Sequence, residues 1–261
     1  MSQRLDRRTV LRIGAVAALS PAAARAHSKV QTLSVGARLG RFSWLRTGIH
    51  TYLRSVRRGD QHLALDIYRR EIRAETLNGV ERLRILQRSD GADQPSVLAQ
   101  HDSVFEMETF RPFTHRRVTA RGGVTRVEAF RFSDRRIVGI EGGAHNGRAD
   151  FSQPSDEPMF NFEADLEMLQ TLPLAFGYAV SIPFYQPGGG APARYLWRVA
   201  SDERLRGPDD GEIDCWVVET DYNAPQNRPA RFWIAKATQQ FIKLEAHAPD
   251  GAVHHKTLLS I

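Results

Sequence analysis

Side chains able to do chemistry are few and scattered along this 261-residue sequence. His254-His255 is the one adjacent histidine pair. In a strand, neighbouring side chains point to opposite faces, so the two do not readily share a metal. His247 lies within reach of one of them across a turn at 249–251. Asp209, Asp210 and Asp214 offer carboxylates for a cation or an acid–base pair, but Pro208-Asp209-Asp210-Gly211 is itself a turn sequence. Calcium loops require oxygen ligands at regular offsets, which this stretch does not supply. Cys215, in Ile213-Asp214-Cys215-Trp216-Val217-Val218, shares a strand face with Ile213 and Val217. That pattern describes a buried, inert thiol, because a reactive one needs an exposed, electropositive setting. Gly142-Gly143-Ala144-His145-Asn146-Gly147 is glycine-rich, yet no helix follows at the spacing a dinucleotide site requires. The nucleophile elbow, the phosphate loop, the H-E-x-x-H pair and cysteine pairs are all missing. We therefore expect no catalytic residues, no metal and no cofactor. A hydrolase would need Ser, His and Asp brought together by the fold, which spacing alone does not reveal.

Aromatic residues give the positive signal. Tyr195 and Trp197 alternate on one candidate strand, Trp216 lies on the next, and Phe232 and Trp233 on the one after; Phe184 and Tyr185 precede them and Phe241 follows. Such density across successive strands describes either a sheet core beneath a helix or the lining of an apolar pocket. A curved sheet often provides both, since its uncovered concave side becomes a cavity. Phe184, Tyr195, Trp197, Trp216 and Phe232 are the expected ligand-binding floor, for a lipid or other apolar small molecule.

The elements that must position this floor are strands. From Gly48 onward hydrophobicity repeats mostly with period two, punctuated by turn residues, which indicates antiparallel pairing. Candidate strands cover 49–57, 62–75, 80–88, 97–108, 113–121, 124–133, 135–141, 177–185, 193–200, 213–221, 230–237, 240–247 and 252–260. Gly59-Asp60, Asn78-Gly79 and Gly122-Gly123 supply the residues that tight hairpins demand. One helix is expected at 161–171, where Phe162, Leu166 and Leu169 recur at helical spacing, Asn161 caps the start and Pro173 ends it. Residues 142–160 read as a loop, and 47–261 as a single domain.

The first 26 residues read as an export signal. Arg7-Arg8 is followed by the apolar run Ile13–Leu19 and by Ala24-Arg25-Ala26, a small-x-small cleavage pattern. Twin-arginine export carries folded proteins, so the export machinery is an expected partner and the periplasm the expected destination. Residues 27–46 read as a loosely ordered leader. The chain carries 36 basic and 30 acidic residues; the signal holds Arg4, Arg7, Arg8, Arg12, Arg25 and Asp6, leaving 31 against 29. That balance, with both signs interspersed, argues against a nucleic-acid partner. A single cysteine excludes an intramolecular disulfide, and no apolar run in the mature part approaches the roughly 20 residues of a membrane span.

The C-terminal strands carry a resemblance. Arg231-Phe232-Trp233-Ile234-Ala235-Lys236, then Phe241-Ile242-Lys243-Leu244-Glu245, then Asp250-Gly251-Ala252-Val253 resembles the hairpin series of periplasmic lipoprotein-carrier-like (Lol-type) proteins and of a related group of exported domains of unknown function. Thr109-Phe110-Arg111-Pro112 and Leu169-Gln170-Thr171-Leu172-Pro173-Leu174 look like that group too. The resemblance spans roughly 47–260. It implies a mainly β fold: one strongly curved antiparallel sheet, an incomplete barrel, with helix packed on its concave side around a cavity for an acyl chain. It supplies no catalytic residues. The chain departs from true carriers in having one helix where they have several, and in its twin-arginine start. The expected function is binding of an apolar or amphipathic ligand in the hollow of the sheet; the alternative is an envelope scaffold with a filled core whose arginine-rich rim meets an acidic partner.

Overall fold

A computed structural model of the chain describes residues 29–91, 98–142, 145–207, 211–224 and 228–259. The expected signal peptide, and most of the turn at 208–211, lie outside them. The fold is mainly β, as the alternation required. A first run of strands, β2 (Gly48–Arg58), β3 (Gln61–Leu77), β4 (Val80–Gly91), β5 (Leu98–Glu106), β6 (Pro112–Arg121), β7 (Val124–Phe132), β8 (Arg136–Gly139) and β9 (Ser152–Pro154), pairs in chain order. A second run, β11 (Ala179–Tyr185), β12 (Ala193–Arg206), β13 (Glu212–Thr220), β14 (Ala230–Ala235), β15 (Phe241–His247) and β16 (Val253–Leu258), does the same. Asn78 and Gly79 both take positive φ, 50° and 76°, as a type I′ hairpin demands. The two runs become one sheet where β16 pairs antiparallel with β2, Leu258 opposite Tyr52.

The sheet curls without closing. β9 ends one side; at the other, the two-residue strands β1 (Gln31–Thr32) and β10 (Phe160–Asn161) pair parallel with β11. Residues 155–159 carry the chain across the gap from β9 to β10. Arg194 of β12 grips this crossing through an ion pair with Glu157, and Arg135 Nη1 donates to the Asp156 carbonyl at 2.9 Å. Strands of two or three residues have no periodicity, so β1, β9 and β10 leave no signal in the sequence. β12 runs six residues past its expected end because a bulge between Val199 and Ser201 shifts the register and lets pairing continue.

The helical segment follows β10. Asn161 Oδ1 accepts from the Glu163 amide at 3.1 Å, capping a 3-10 turn (Phe162–Ala164) that continues into helix α1 (Asp165–Thr171). Every side chain from Leu166 to Thr171 is buried. A helix buried on all sides is a plug rather than a lid with one wet face. It packs into a core with Ile72, Leu83, Ile85, Phe105, Trp197 and Phe241. The described part of the expected leader (27–46) is tied to the sheet and to this plug: Gln31 and Thr32 pair with β11, Leu39 is buried, and the Arg41 amide donates to the Thr171 carbonyl at 3.2 Å at the helix end. Asn146, in the glycine-rich loop, bonds backbone groups of Ala129, Ile140 and Arg148 at 2.9–3.0 Å, so it substitutes for missing strand partners. Gly139 sits under that loop so closely that a Cβ there would lie 1.7 Å from the Arg148 carbonyl oxygen.

Candidate functional site

Period-two alternation and strand order bring four of the five expected floor residues together. Phe184, Trp197 and Phe232 are buried, with ring centroids 6.2 Å (Phe184–Trp197) and 5.0 Å (Trp197–Phe232) apart. Tyr195 is half-buried and meets them through Phe162, 5.3 Å away and edge-on. Tyr222 completes the cluster, 5.7 Å from Phe162 and 6.1 Å from Trp197. Neither Phe162 nor Tyr222 was part of the expected floor, because both sit outside the strand pattern. Trp216 makes no ring contact with the other four among the described residues; Lys236 Nζ lies over its ring at 4.3 Å and bonds Asp202 at 2.5 Å. The floor is thus largely covered by Phe162 and the plug. Hollows of about 270, 320 and 440 Å³ on the described surface are lined by other residues.

Beside the aromatic half lies an ionic half that the sequence did not announce. Strand register sets Arg70, Gln87 and His101 in one row across β3, β4 and β5, and Ile72, Ile85, Ser103 and His115 in the next, across β3 to β6. From the helical segment, Glu163 and Glu167 stand four residues apart and so face the same rows. Arg70 Nε donates to Glu167 Oε1 at 2.9 Å and Nη2 to Oε2 at 2.5 Å, with a further bond from Nη2 to the Glu163 carbonyl at 2.7 Å. Burial alone would weaken the proton affinity of Arg70; Glu167 more than offsets it, so its pKa is raised. Gln87 Nε2 and Gln186 Nε2 donate to the two oxygens of Glu163 at 3.0 and 2.9 Å, and Tyr68 OH donates to Gln87 Oε1. Burial opposes ionisation of Glu163, but the His101 contact prevails and holds its carboxyl well below the usual range. Burial pulls the His115 imidazole down to about 4.

The two halves meet at the start of the helix. Phe162, Tyr195 and Tyr222 on one side, Tyr68, Arg54 and Lys256 on the other, and Asp165 between them are all half-buried rather than enclosed. Lys256 Nζ lies 4.2 Å over the Tyr68 ring. Burial drives the Asp165 carboxyl up to about 7 against the pull of Arg70 and Lys256, and drives the Lys256 ammonium down to about 8 with the help of Arg70. This rim sets aromatic faces, cations and a carboxyl close together. None of these rim residues is a serine or a cysteine. Ser103 Oγ sits 2.9 Å from His115 Nδ1, but both side chains are fully buried, so the pair presents no hydroxyl to a substrate. His254 and His255 do not converge either; His247 and His255 each face Glu245, at 3.3 and 3.9 Å. Cys215 is buried, its thiol aimed at the Ile213 carbonyl 3.6 Å away.

No helix among the described residues is long and apolar enough to cross a membrane. No curated protein matches the chain. Among solved structures, it is similar to a β-barrel-like protein of the domain of unknown function DUF1849 from Brucella abortus, at 11% identity over 83% of this chain and 98% of that one, with a TM-score of 0.46. It is also similar to a DUF1329 family protein from Desulfovibrio piger, at 13% identity over 84% and 87% of the two chains, with a TM-score of 0.34. A family model matches residues 62–256, which takes in the ionic rows, the plug and the aromatic strands alike, and the chain accordingly belongs to DUF3108, a protein family of unknown function.

Proposed function

We propose that this chain is an exported, non-enzymatic binding domain that takes an apolar or amphipathic ligand at the mouth of its curved sheet. The observation that carries this reading is the half-buried rim, where Phe162, Tyr195 and Tyr222 face Arg54 and Lys256 across Asp165. An acyl chain would lie along the rings toward Trp197, and an anionic head would meet the cations. Small-ligand sites are mostly apolar with a few placed polar groups, which is the composition of this rim. The resemblance of the C-terminal hairpins to lipoprotein-carrier-like proteins supports an acyl ligand, and the Arg7-Arg8 start supports work in the periplasm. The test is titration of a fluorescent fatty acid into the purified protein. Micromolar binding is expected, about −8 kcal/mol, weakened by Tyr195→Ala and by Lys256→Gln with folding intact. A folded wild-type protein that binds no such probe overturns the reading. It would favour a filled envelope scaffold instead, to which the complete burial of Trp197 and Phe232 already lends weight.

A further inference from the structure

Three residues of the ionic half stand in an arrangement that neither the rim nor the fold requires. His101 from β5, His115 from β6 and Glu163 from the 3-10 turn each offer one ligand atom, and these atoms lie within 4.8 Å of one another. His101 Nδ1 is 3.1 Å from Glu163 Oε2. The two imidazoles meet edge-on, with centroids 5.6 Å apart. Sequence spacing conceals the set, because its members are 14 and 48 residues apart along the chain.

His115 supplies the decisive detail. Its side chain is wholly buried, its Nδ1 is engaged with Ser103 Oγ at 2.9 Å, and its Nε2 has no hydrogen-bond partner among the described residues. Asn161 Nδ2 donates to the same Ser103 oxygen at 3.4 Å, and the second lone pair of that oxygen is placed to accept Nδ1–H of His115 in one of the two tautomers. In that tautomer the unpartnered Nε2 carries a lone pair available to a cation. A buried nitrogen without a partner costs stability unless something binds it. A histidine whose far nitrogen is fixed by a hydrogen bond is how metal ligands are oriented. Glu163 is fixed in the same way by the Gln87 and Gln186 amides, at 3.0 and 2.9 Å.

We propose that His101 Nδ1, His115 Nε2 and the Glu163 carboxylate bind a divalent first-row transition ion, zinc being the representative. Two imidazoles and one carboxylate form the donor set of three-ligand zinc sites, and hard, all-oxygen cations such as calcium and magnesium are poorly served by it. Metal–ligand bonds of about 2.0–2.2 Å at tetrahedral angles separate ligand atoms by about 3.3–3.5 Å. The His101–Glu163 pair, at 3.1 Å, stands slightly inside that spacing, and the third member, within 4.8 Å, closes by up to about 1.5 Å. The side chains of His101 and Glu163 are 18% and 11% exposed. The fourth position therefore opens toward solvent, where water or a ligand's anionic group completes the coordination.

The test uses the untagged, chelator-treated full chain, titrated with zinc and in parallel with magnesium and calcium. One equivalent of zinc is expected to bind, with no competition from the other two. Ser103→Ala, which frees the His115 ring, should weaken zinc binding by about 10–100-fold, and His101→Gln by more than that. X-ray absorption on the wild-type zinc form reads the ligands without any variant, and two imidazole nitrogens are expected. No zinc bound to the folded wild type overturns the proposal, as does a spectrum with fewer than two imidazoles, or undiminished zinc binding by folded His101→Gln. Fatty-acid binding is measured separately, so failure of either claim leaves the other standing or falling on its own result.

Discussion

Replacing Arg70→Met should expose how the two halves of the interior are held together. The side chains of Arg70 and Glu167 are 2% and 1% exposed, and the substitution keeps much of the arginine stem while stranding the carboxylate. Breaking a buried pair from one side costs about 3–5 kcal/mol. A stranded carboxylate has one escape, which is to take up a proton. Neutralising an ordinary glutamic acid at pH 7 costs about 3.7 kcal/mol, from about 2.7 pH units at 1.36 kcal/mol each. That sum caps the charge penalty at pH 7; at pH 5 the cap falls to about 1 kcal/mol. Loss of the bond to the Glu163 carbonyl adds about 1 kcal/mol at either pH. Arg70→Met should therefore lose about 4–5 kcal/mol at pH 7 and about 2 kcal/mol at pH 5. The deficit grows as pH rises above the ordinary carboxylate range and is relieved as pH falls back toward it, because the destabilised species is the ionised one. Arg70→Met combined with Glu167→Leu removes both charges and should recover most of the loss. Urea unfolding at the two pH values, with unchanged m-values, gives the comparison. A deficit independent of pH, or a double variant less stable than the single, would refute this account of the interior.

Gly139→Ala should destabilise by more than the roughly 1–3 kcal/mol typical of overpacking, since the obstructing atom, the Arg148 carbonyl oxygen, is backbone; urea midpoints check it, and an unchanged midpoint contradicts the close crossing at β8. Burial pushes the Cys215 thiol up to about 11, so alkylation of the native protein should be slow at pH 7 and keep rising past pH 9, where an exposed thiol levels off; rapid labelling at neutral pH would show the side chain to be accessible. Replacing Arg7-Arg8 by Lys-Lys should abolish export without altering the unfolding midpoint of the mature domain, as cell fractionation and urea unfolding would show, and unchanged periplasmic protein would mean that the export signal had been misread.

Several of the long strands were legible through two local rules, alternation and a turn residue with positive φ beside them. β3 and β4 joined by Asn78-Gly79 illustrate both. The helix was legible through Asn161 and Pro173, which mark its limits in the chain. The ionic half was not legible, for a physical reason. Arg70 finds Glu167 across 97 residues, and nothing in either neighbourhood requires the other. A buried arginine in a strand looks, in sequence, like an outward-facing one, because period two fixes which residues share a face but not which face is covered. The aromatic floor shows the same limit. Alternation aligned Tyr195 with Trp197, yet whether they border a space or a plug depended on Phe162, a residue of the helical segment. Likewise His101 and His115 came within reach only once β5 and β6 were paired in a particular register.

The pairing of β16 with β2 has a consequence for the life of the chain before it is folded. The middle of the sheet is its last part to be synthesised: Tyr52 waits for Leu258, 206 positions later. On the ribosome, β2 and β3 can form their hairpin early, but one edge of β2 stays open until the final strand emerges. An open edge is a template for pairing with any other extended chain, and sheets closed by distant contacts fold in milliseconds to seconds rather than microseconds. The nascent protein thus passes through a vulnerable interval whose length is set by translation itself. A chaperone shielding β2 during that interval would cover this edge. If residues 253–258 never arrive, β15 and β2 are left as two bare edges, and the one sheet becomes two that share no strand pair.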